Sequence, residues 1–131
     1  MQTFKTASGP VRWLDEADLR ASLDLRRCVE AVERAFLALG SGSVSKPGVL
    51  SVETAGGAMH IKAASWPELG YFVAKVNSNY PGNAERKALP TIQGAAALFE
   101  LSNGRLVALL DSAELTARRT GAATGVAVKY L

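Results

Sequence analysis

Five short apolar runs lie between Val44 and Ser112, and they constrain the fold more than any other feature of the sequence. Each run has the length of a β-strand, and Pro and Gly interrupt the pattern. The runs are SKPGVLSVE, AMHIKAASW, YFVAKVNSN, GAAALFELS and RLVALLDS. The last two flank Asn103-Gly104, a dipeptide that favours a tight two-residue hairpin turn. This part of the chain is therefore predicted to form a mostly antiparallel sheet.

Helical patterns lie on both sides of the strand region. In LDEADLRASL, Asp15 can cap a short helix, and Asp24 opens a second one. The second helix has apolar residues at three- and four-residue spacings, and Gly40 lies where a left-handed terminal residue is expected. After Ser112, a predicted N-cap, the segment AELTARRTGAATGVAVKYL indicates a helix rich in Ala and Gly. The predicted fold class is α+β, with N-terminal helices packed on a mostly antiparallel sheet.

The composition indicates a single globular domain. The chain has 131 residues, of which 48% are hydrophobic and 21% are charged. No apolar run is long enough to cross a bilayer, and the N-terminus lacks the apolar core of a signal peptide, so we expect a cytoplasmic protein without a membrane partner. The net charge of +3 comes from scattered basic residues, which argues against a nucleic-acid partner.

Neither the cysteine nor the histidine content indicates a metal site. Cys28 is the single cysteine, so an intrachain disulfide is excluded, and its place among the apolar positions of the second helix predicts a core residue. His60 is the single histidine, and no cysteine cluster exists to complete a metal site around it. We therefore interpret His60 as a packed or surface residue.

Three lysines occur one to each strand-like segment: Lys46 in VSKPG, Lys62 in MHIKAA and Lys75 in FVAKVN. Side chains alternate across a strand, so Lys75 shares a face with Asn77, and Lys62 shares one with His60. In a cleft, these lysines could hold a carboxylate, and partial burial would lower a lysine pKa enough for proton transfer. The alternative is that the strand faces are simply solvated, and the pattern alone leaves both interpretations open.

The helix after Ser112 contains Arg118 and Arg119. Adjacent helical residues point in different directions, so usually only one of the two faces inward. A guanidinium there could hold a carboxylate or a phosphate with two hydrogen bonds. The alternative is again an ordinary solvated helix surface.

Several motifs together resemble the N-terminal half of the ornithine cyclodeaminase/mu-crystallin family. They are VAKVNSNYPGN, LPTIQGAAALFELSNGRLVALLDSAELTARRTGAAT and GVAVKYL. The lysine-turn motif, the Pro-Thr motif, the Asn-Gly hairpin and the Arg-Thr helix follow the order and spacing of the family. The resemblance extends from about Leu14 to Leu131, which is nearly the whole chain.

The resemblance implies a role for five residues. Lys75 is expected to lie beside the substrate and to take part in proton transfer, and Lys46 is expected to help bind the amino-acid carboxylate. Lys62 resembles a pocket residue of one branch of the family. Thr91, in LPTIQG, matches a cofactor contact, and Arg119 matches a residue that touches both substrate and nicotinamide cofactor. Lys87, in the turn after Lys75, is expected to have no role in catalysis or folding.

The chain departs from the family in length. Complete members continue after a segment like VAVKYL into a Rossmann domain that binds NAD(P), so the last helix is expected to lead into a domain that this sequence lacks. No GxGxxG motif occurs here, and we therefore expect no tight NAD(P) binding and no dehydrogenation by this chain alone. A departure of smaller consequence is Gly121, which stands where the family suggests alanine.

The resemblance thus implies that residues 1–131 form a substrate-binding and dimerisation domain. The expected partners are a small amino-acid or imino-acid ligand and a second copy of the chain, in a homodimer or a higher oligomer. The parent activity would be that of an NAD(P)-dependent cyclodeaminase or imino-acid reductase. Two alternatives stay open: a non-catalytic ligand-binding protein of the mu-crystallin type, and an inert truncated remnant.

Overall fold

A computed structural model describes residues 2–86 and 88–131; Lys87, expected to have no role, lies outside the described residues. The strands are β1 (Gln2–Thr6), β2 (Gly9–Leu14), β3 (Gly48–Thr54), β4 (Gly57–Trp66), β5 (Tyr71–Asn79), β6 (Ile92–Glu100) and β7 (Leu106–Asp111). The helices are α1 (Glu16–Ser22), α2 (Leu25–Ser41), α3 (Asn83–Arg86) and α4 (Ser112–Tyr130). A short 3-10 turn, Pro67–Leu69, joins β4 to β5. The α+β class is confirmed.

All seven strands belong to one sheet, in the order β1-β2-β7-β6-β5-β4-β3. Within the described residues, neighbouring strands are antiparallel except for β2 and β7, which run parallel. The prediction that the strands between Val44 and Ser112 form a mostly antiparallel sheet is thus confirmed. The sequence pattern does not predict the first hairpin, β1 and β2, which joins the sheet by pairing β2 with a strand more than ninety positions later.

The helix starts follow local capping chemistry. Asp15 caps α1 and forms a capping box with Asp18, and the Asp24 side chain accepts a hydrogen bond from the Arg27 backbone N–H. The predicted cap of α4 was wrong by one residue: the Asp111 side chain accepts from the Ala113 backbone N–H at 2.8 Å. A carboxylate therefore occupies the helix N-terminus, where the helix dipole favours negative charge.

Two predicted turns differ from the structure. Helix α2 continues past Gly40 to Ser41, and Gly42 caps it with a φ of +76°, the left-handed value that glycine adopts at little cost. The β6–β7 connection is longer than the predicted two-residue turn. The Glu100 backbone N–H donates to the Arg105 carbonyl, and the residues from Leu101 to Gly104 form the loop between them. The Glu100 carboxylate also accepts hydrogen bonds from Arg105 and thereby closes this loop.

Helix α4 packs on one face of the sheet, against β5, β6 and β7, and helix α2 packs on α4. A Cβ added at Gly125 of α4 would lie 3.1 Å from the Val29 side chain of α2, so the small residue allows close helix packing. Ala122 and Val126 of α4 are buried. Cys28 of α2 is half-buried rather than fully enclosed, so the prediction that it is a core residue is only partly right. No helix within the described residues is long and apolar enough to span a membrane.

The opposite side of strands β3, β4 and β5 exposes an apolar surface, which we call the open face. It is formed by Leu50, Val52, Ile61 and Val76, which are between 36% and 55% exposed. The strand register places Leu50 beside Ile61 and Ile61 beside Val76. Alternation along each strand puts these side chains opposite Lys62 and Lys75. The open face is therefore the side of the sheet away from α4.

Candidate functional site

A polar cleft lies where α4 crosses the helix-covered face of the sheet, and it has a volume of about 140 Å³. Larger hollows exist elsewhere, but here basic and polar side chains from several elements converge. The lining residues are His60 and Lys62 from β4, Lys75, Asn77, Ser78 and Asn79 from β5, Ile92 from β6, and Thr116 and Arg119 from α4.

The register between β4 and β5 brings the two cleft lysines together. Lys62 pairs directly with Lys75, and His60 pairs with Asn77 two residues further along. Directly opposed side chains on one face have Cβ atoms only about 5 Å apart, so two like charges there repel each other. The Lys75 ammonium donates a hydrogen bond to Thr116 Oγ1 at 3.1 Å, which fixes it beneath α4.

The cleft lowers the pKa of Lys75 below the ordinary lysine value. Partial burial is the main cause, and the positive charges of Arg119 and Lys62 add to it. None of the described residues that line the cleft is acidic. An anionic ligand would relieve the repulsion among these cations, so the cleft is suited to bind a carboxylate.

Asn77 and Gly94 together shape the floor of the cleft. The Asn77 amide nitrogen lies 3.5 Å from Thr116 Oγ1, while its buried Oδ1 has no hydrogen-bond partner among the described residues. A Cβ on Gly94, the cross-strand neighbour of Asn77, would lie 2.0 Å from the Val76 carbonyl oxygen and 2.8 Å from Asn77 Oδ1. Glycine is thus required at position 94 for Asn77 to reach towards α4.

His60 is held in place from the edge strand. Its Nδ1 lies 2.9 Å from Ser51 Oγ, and the register pairs these two residues across β3 and β4. This contact occupies one ring nitrogen, and no described residue forms a hydrogen bond with Nε2. The interpretation of His60 as a merely packed or surface residue therefore missed its position in the cleft wall.

The structure brings three of the five predicted site residues together: Lys62, Lys75 and Arg119. Lys46 does not lie in a strand as expected; it is exposed in the segment before β3 and does not line the cleft. Strand β3 starts only at Gly48, since Pro47 lacks the N–H that a strand ladder requires. Thr91 precedes the lining residue Ile92, and its carbonyl accepts a hydrogen bond from the Tyr80 backbone N–H.

The two arginines of α4 have different environments. The Arg118 guanidinium donates to Glu114 at 2.7 Å, which neutralises it, whereas Arg119 reaches the cleft. Thr116 was not predicted as a site residue. Its spacing of three positions before Arg119 places both on one side of the helix, and this signal could have identified it.

Comparison with known proteins gives a consistent result. Residues 13–131 match the model of the ornithine cyclodeaminase/mu-crystallin family. The alanine dehydrogenase of Archaeoglobus fulgidus is 30% identical over 118 residues, which are 90% of this chain and 36% of that protein. The L-lysine cyclodeaminase of Streptomyces rapamycinicus is 33% identical over 108 residues, which are 80% of this chain and 32% of that protein.

Solved structures show the same fold. An archaeal alanine dehydrogenase dimer with bound NAD superposes with a TM-score of 0.87 at 29% identity, over 92% of this chain and 37% of that one. The Thermococcus litoralis Δ1-pyrroline-2-carboxylate reductase, in complex with NADH and L-proline, gives a TM-score of 0.83 at 34% identity. The match covers 91% of this chain and 37% of that one. The chain thus spans between 32% and 37% of the length of these four relatives.

Proposed function

The chain belongs to the ornithine cyclodeaminase/mu-crystallin family, and from this premise we propose that it forms the substrate-binding and dimerisation domain of an NAD(P)-dependent oxidoreductase or deaminase. The proposed substrates are amino acids or the corresponding imino acids. The observation that carries the proposal is the cleft in which Lys62, Lys75 and Arg119 converge without an acidic lining residue among those described.

In this proposal Arg119 and Lys62 orient the substrate carboxylate. Arg119 is suited to this role because a guanidinium can donate two parallel hydrogen bonds to a carboxylate. Lys46, in the segment before β3, would add a further contact to the carboxylate in the complete protein. Thr91 would contact the cofactor beside Ile92, at the end of the cleft.

Lys75 is the proposed acid and base. Bound NAD(P) in the complete protein would accept or deliver the hydride at the substrate α-carbon. With a lowered pKa, Lys75 can take a proton from the substrate ammonium before an imine forms, and return one in the opposite direction. Thr116 keeps the Lys75 ammonium in position through its hydroxyl oxygen. Because the sequence has no GxGxxG motif, the proposal assigns tight cofactor binding to a portion outside these residues.

Calorimetry with L-proline tests the substrate-binding proposal, since a relative was solved with this ligand. We expect saturable binding of L-proline and none of pyrrolidine, which lacks the carboxylate. Arg119→Ala should weaken binding about 10-fold or more, because a charge-assisted hydrogen bond is lost. Arg118→Ala is the matched control, since Arg118 pairs with Glu114 and should leave affinity unchanged. Equal binding of both compounds, or equal loss in both variants, would refute the proposal.

We propose that the open face forms the dimer contact, because an apolar surface across three neighbouring strands is costly to leave in water. Ile61→Glu places a charge at its centre and should convert a dimer into a monomer, as measured by light scattering after gel filtration. Leu37→Glu, on an exposed apolar position of α2, is the matched control and should stay dimeric. A monomeric parent chain, or dissociation by Leu37→Glu alone, would contradict this contact.

A further inference from the structure

Two hollows on the sheet adjoin each other and share no lining residue with the cleft. The first, which we call the apolar hollow, has a volume of about 420 Å³. The second, which we call the arginine hollow, has a volume of about 580 Å³ and contains Arg12 and Arg105 in its lining. Tyr71 and Leu98 line both. Because the two hollows have a common wall, one extended ligand could occupy both of them.

The apolar hollow exists because α2 packs chiefly on α4 and leaves a gap between itself and the strands. Its lining includes Phe36 and Leu39 from α2, and Ala64, Trp66 and Val73 from β4 and β5. Phe36, Leu39 and Val73 are between 37% and 51% exposed. None of the described residues that line this hollow is charged. The transfer of an apolar ligand from water into it is therefore favourable.

The strand register connects the two hollows by one row of side chains. Ala64 pairs with Val73, Val73 with Leu98, Leu98 with Ala108, and Ala108 with Arg12. Residues that are paired in register point to the same face of the sheet. Neighbouring strands lie about 4.8 Å apart, so the row from β4 to β2 extends over about 19 Å. An apolar track therefore crosses the sheet and ends at a guanidinium.

Arg12 is the uncompensated charge at that end. Arg105 and Glu100 also line the arginine hollow, but they form an ion pair with each other at 3.1 Å. In the described part of the chain, no carboxylate forms an ion pair with the exposed Arg12. A guanidinium can donate two parallel hydrogen bonds to a carboxylate. The groove is thus apolar at one end and complementary to an anion at the other.

We propose that this groove binds a medium-chain fatty acid or another acyl carboxylate. Its chain would lie along Leu98 and Val73 into the apolar hollow, and its carboxylate would meet Arg12. This site is separate from the amino-acid cleft, and it binds its ligand without reacting with it. A purely apolar ligand would fill the hollow but leave Arg12 without a partner, so charge complementarity favours the carboxylate.

Calorimetry on the parent chain with decanoate, below its micelle concentration, tests the proposal. We expect saturable binding. Octanoate is shorter by two methylenes and should bind about 10-fold more weakly, since each methylene buried in the hollow adds to the affinity. Decyltrimethylammonium has a chain of the same length as its tail but carries a positive head group, so it should not bind.

Two neighbouring positions of α2 provide a matched pair of variants for the apolar end. Phe36 and Leu37 are both exposed, at 51% and 66%, but only Phe36 lines the apolar hollow. Phe36→Glu should weaken decanoate binding about 10-fold or more, because a carboxylate would then face the acyl chain. Leu37→Glu should leave the affinity unchanged.

A second pair of variants tests the anion-binding end. Arg12→Gln should weaken decanoate binding about 10-fold, because a charge-assisted hydrogen bond is lost. Arg26→Gln, at an exposed position of α2 outside both hollows, should have no effect. Thermal melts check the folding of all four variants, and only those that melt like the parent chain are compared.

The outcomes separate this inference from the proposed function. Absence of decanoate binding, or equal binding of decyltrimethylammonium, would overturn the inference, as would an affinity that neither Phe36→Glu nor Arg12→Gln changes. Displacement of L-proline by decanoate would place the fatty acid in the cleft and would also overturn it. If Phe36→Glu dissociated a dimer and decanoate did not bind, a second copy of the chain would be the occupant. Binding of L-proline should be the same in all four variants, so the proposed function can stand if this inference fails.

Discussion

Lys75→Met is expected to lower turnover by about 10²- to 10⁴-fold in a complete enzyme assembled from this chain and the NAD-binding portion of a relative. The ammonium of Lys75 lies in the cleft, hydrogen-bonded to Thr116, and its pKa is lowered by burial and by Arg119 and Lys62. Methionine keeps much of the side-chain volume but cannot carry a proton. Steady-state kinetics with the best amino-acid substrate measures the effect.

Folding should survive this substitution. Lys75 is repelled by two neighbouring cations, so its removal costs little stability, and thermal melts should show a change below about 1 kcal/mol. Lys5→Met, at an exposed position of β1, is the matched control and should change neither turnover nor melting. Near-normal turnover of Lys75→Met would show that the lysine is part of a solvated strand face.

A complete protein that binds ligand but transfers no hydride would instead favour the non-catalytic alternative.

Gly94→Ala is expected to destabilise the chain by about 2 to 3 kcal/mol. The new Cβ would meet the Val76 carbonyl oxygen at 2.0 Å and the Asn77 side chain at 2.8 Å, distances that force β5 and β6 apart. The Asn77 side chain would then lose its place beneath Thr116, so ligand binding should weaken as well. Denaturant unfolding and calorimetry on the same variant measure both effects.

Gly121→Ala is the matched control for this glycine. Its added Cβ meets no atom of the described residues within 4 Å, and alanine favours a helix by up to about 1 kcal/mol over glycine. This variant should therefore be as stable as the parent chain or slightly more so. If Gly94→Ala were as stable as Gly121→Ala, the tight approach of β5 and β6 at the cleft floor would be disproved.

Local chemistry made the starts of α1 and α2 predictable, but not the end of α2. Asp15 and Asp24 act through hydrogen bonds to residues three positions later, so the signal lies within one short segment. The end of α2 depends on which glycine takes a positive φ, and both Gly40 and Gly42 can do so. Only the structure shows that Gly42 does.

The first hairpin could not be predicted for a different reason. Strand β1 is an edge strand with exposed side chains at four of its five positions, so it has no buried apolar alternation. Strand β2 is fixed by pairing with β7, a contact between distant parts of the chain. The local strand propensity of residues 2–14 therefore does not predict that β2 pairs with β7.

The candidate site was predictable in part. Alternation along β4 and β5 correctly placed His60 with Lys62 and Lys75 with Asn77. The direct pairing of Lys62 with Lys75 depends on the register set by the β4–β5 connection, and the contact of Lys75 with Thr116 depends on the packing of α4. Neither follows from spacing alone, which is why solvation and a binding cleft could not be distinguished from the sequence.

NMR on selectively labelled lysine can follow the titration of the Lys75 side chain with and without a carboxylate ligand, and this titration is the decisive test of the carboxylate site. Without ligand, the pKa of Lys75 should lie below the ordinary value of about 10.4, and Arg119→Ala should raise it by removing a repelling charge. A bound carboxylate stabilises the protonated form, so it should raise the pKa of Lys75, and affinity should fall as pH increases through that raised value. A Lys75 signal that titrates at the ordinary lysine value and does not respond to the ligand would contradict the proposed carboxylate site.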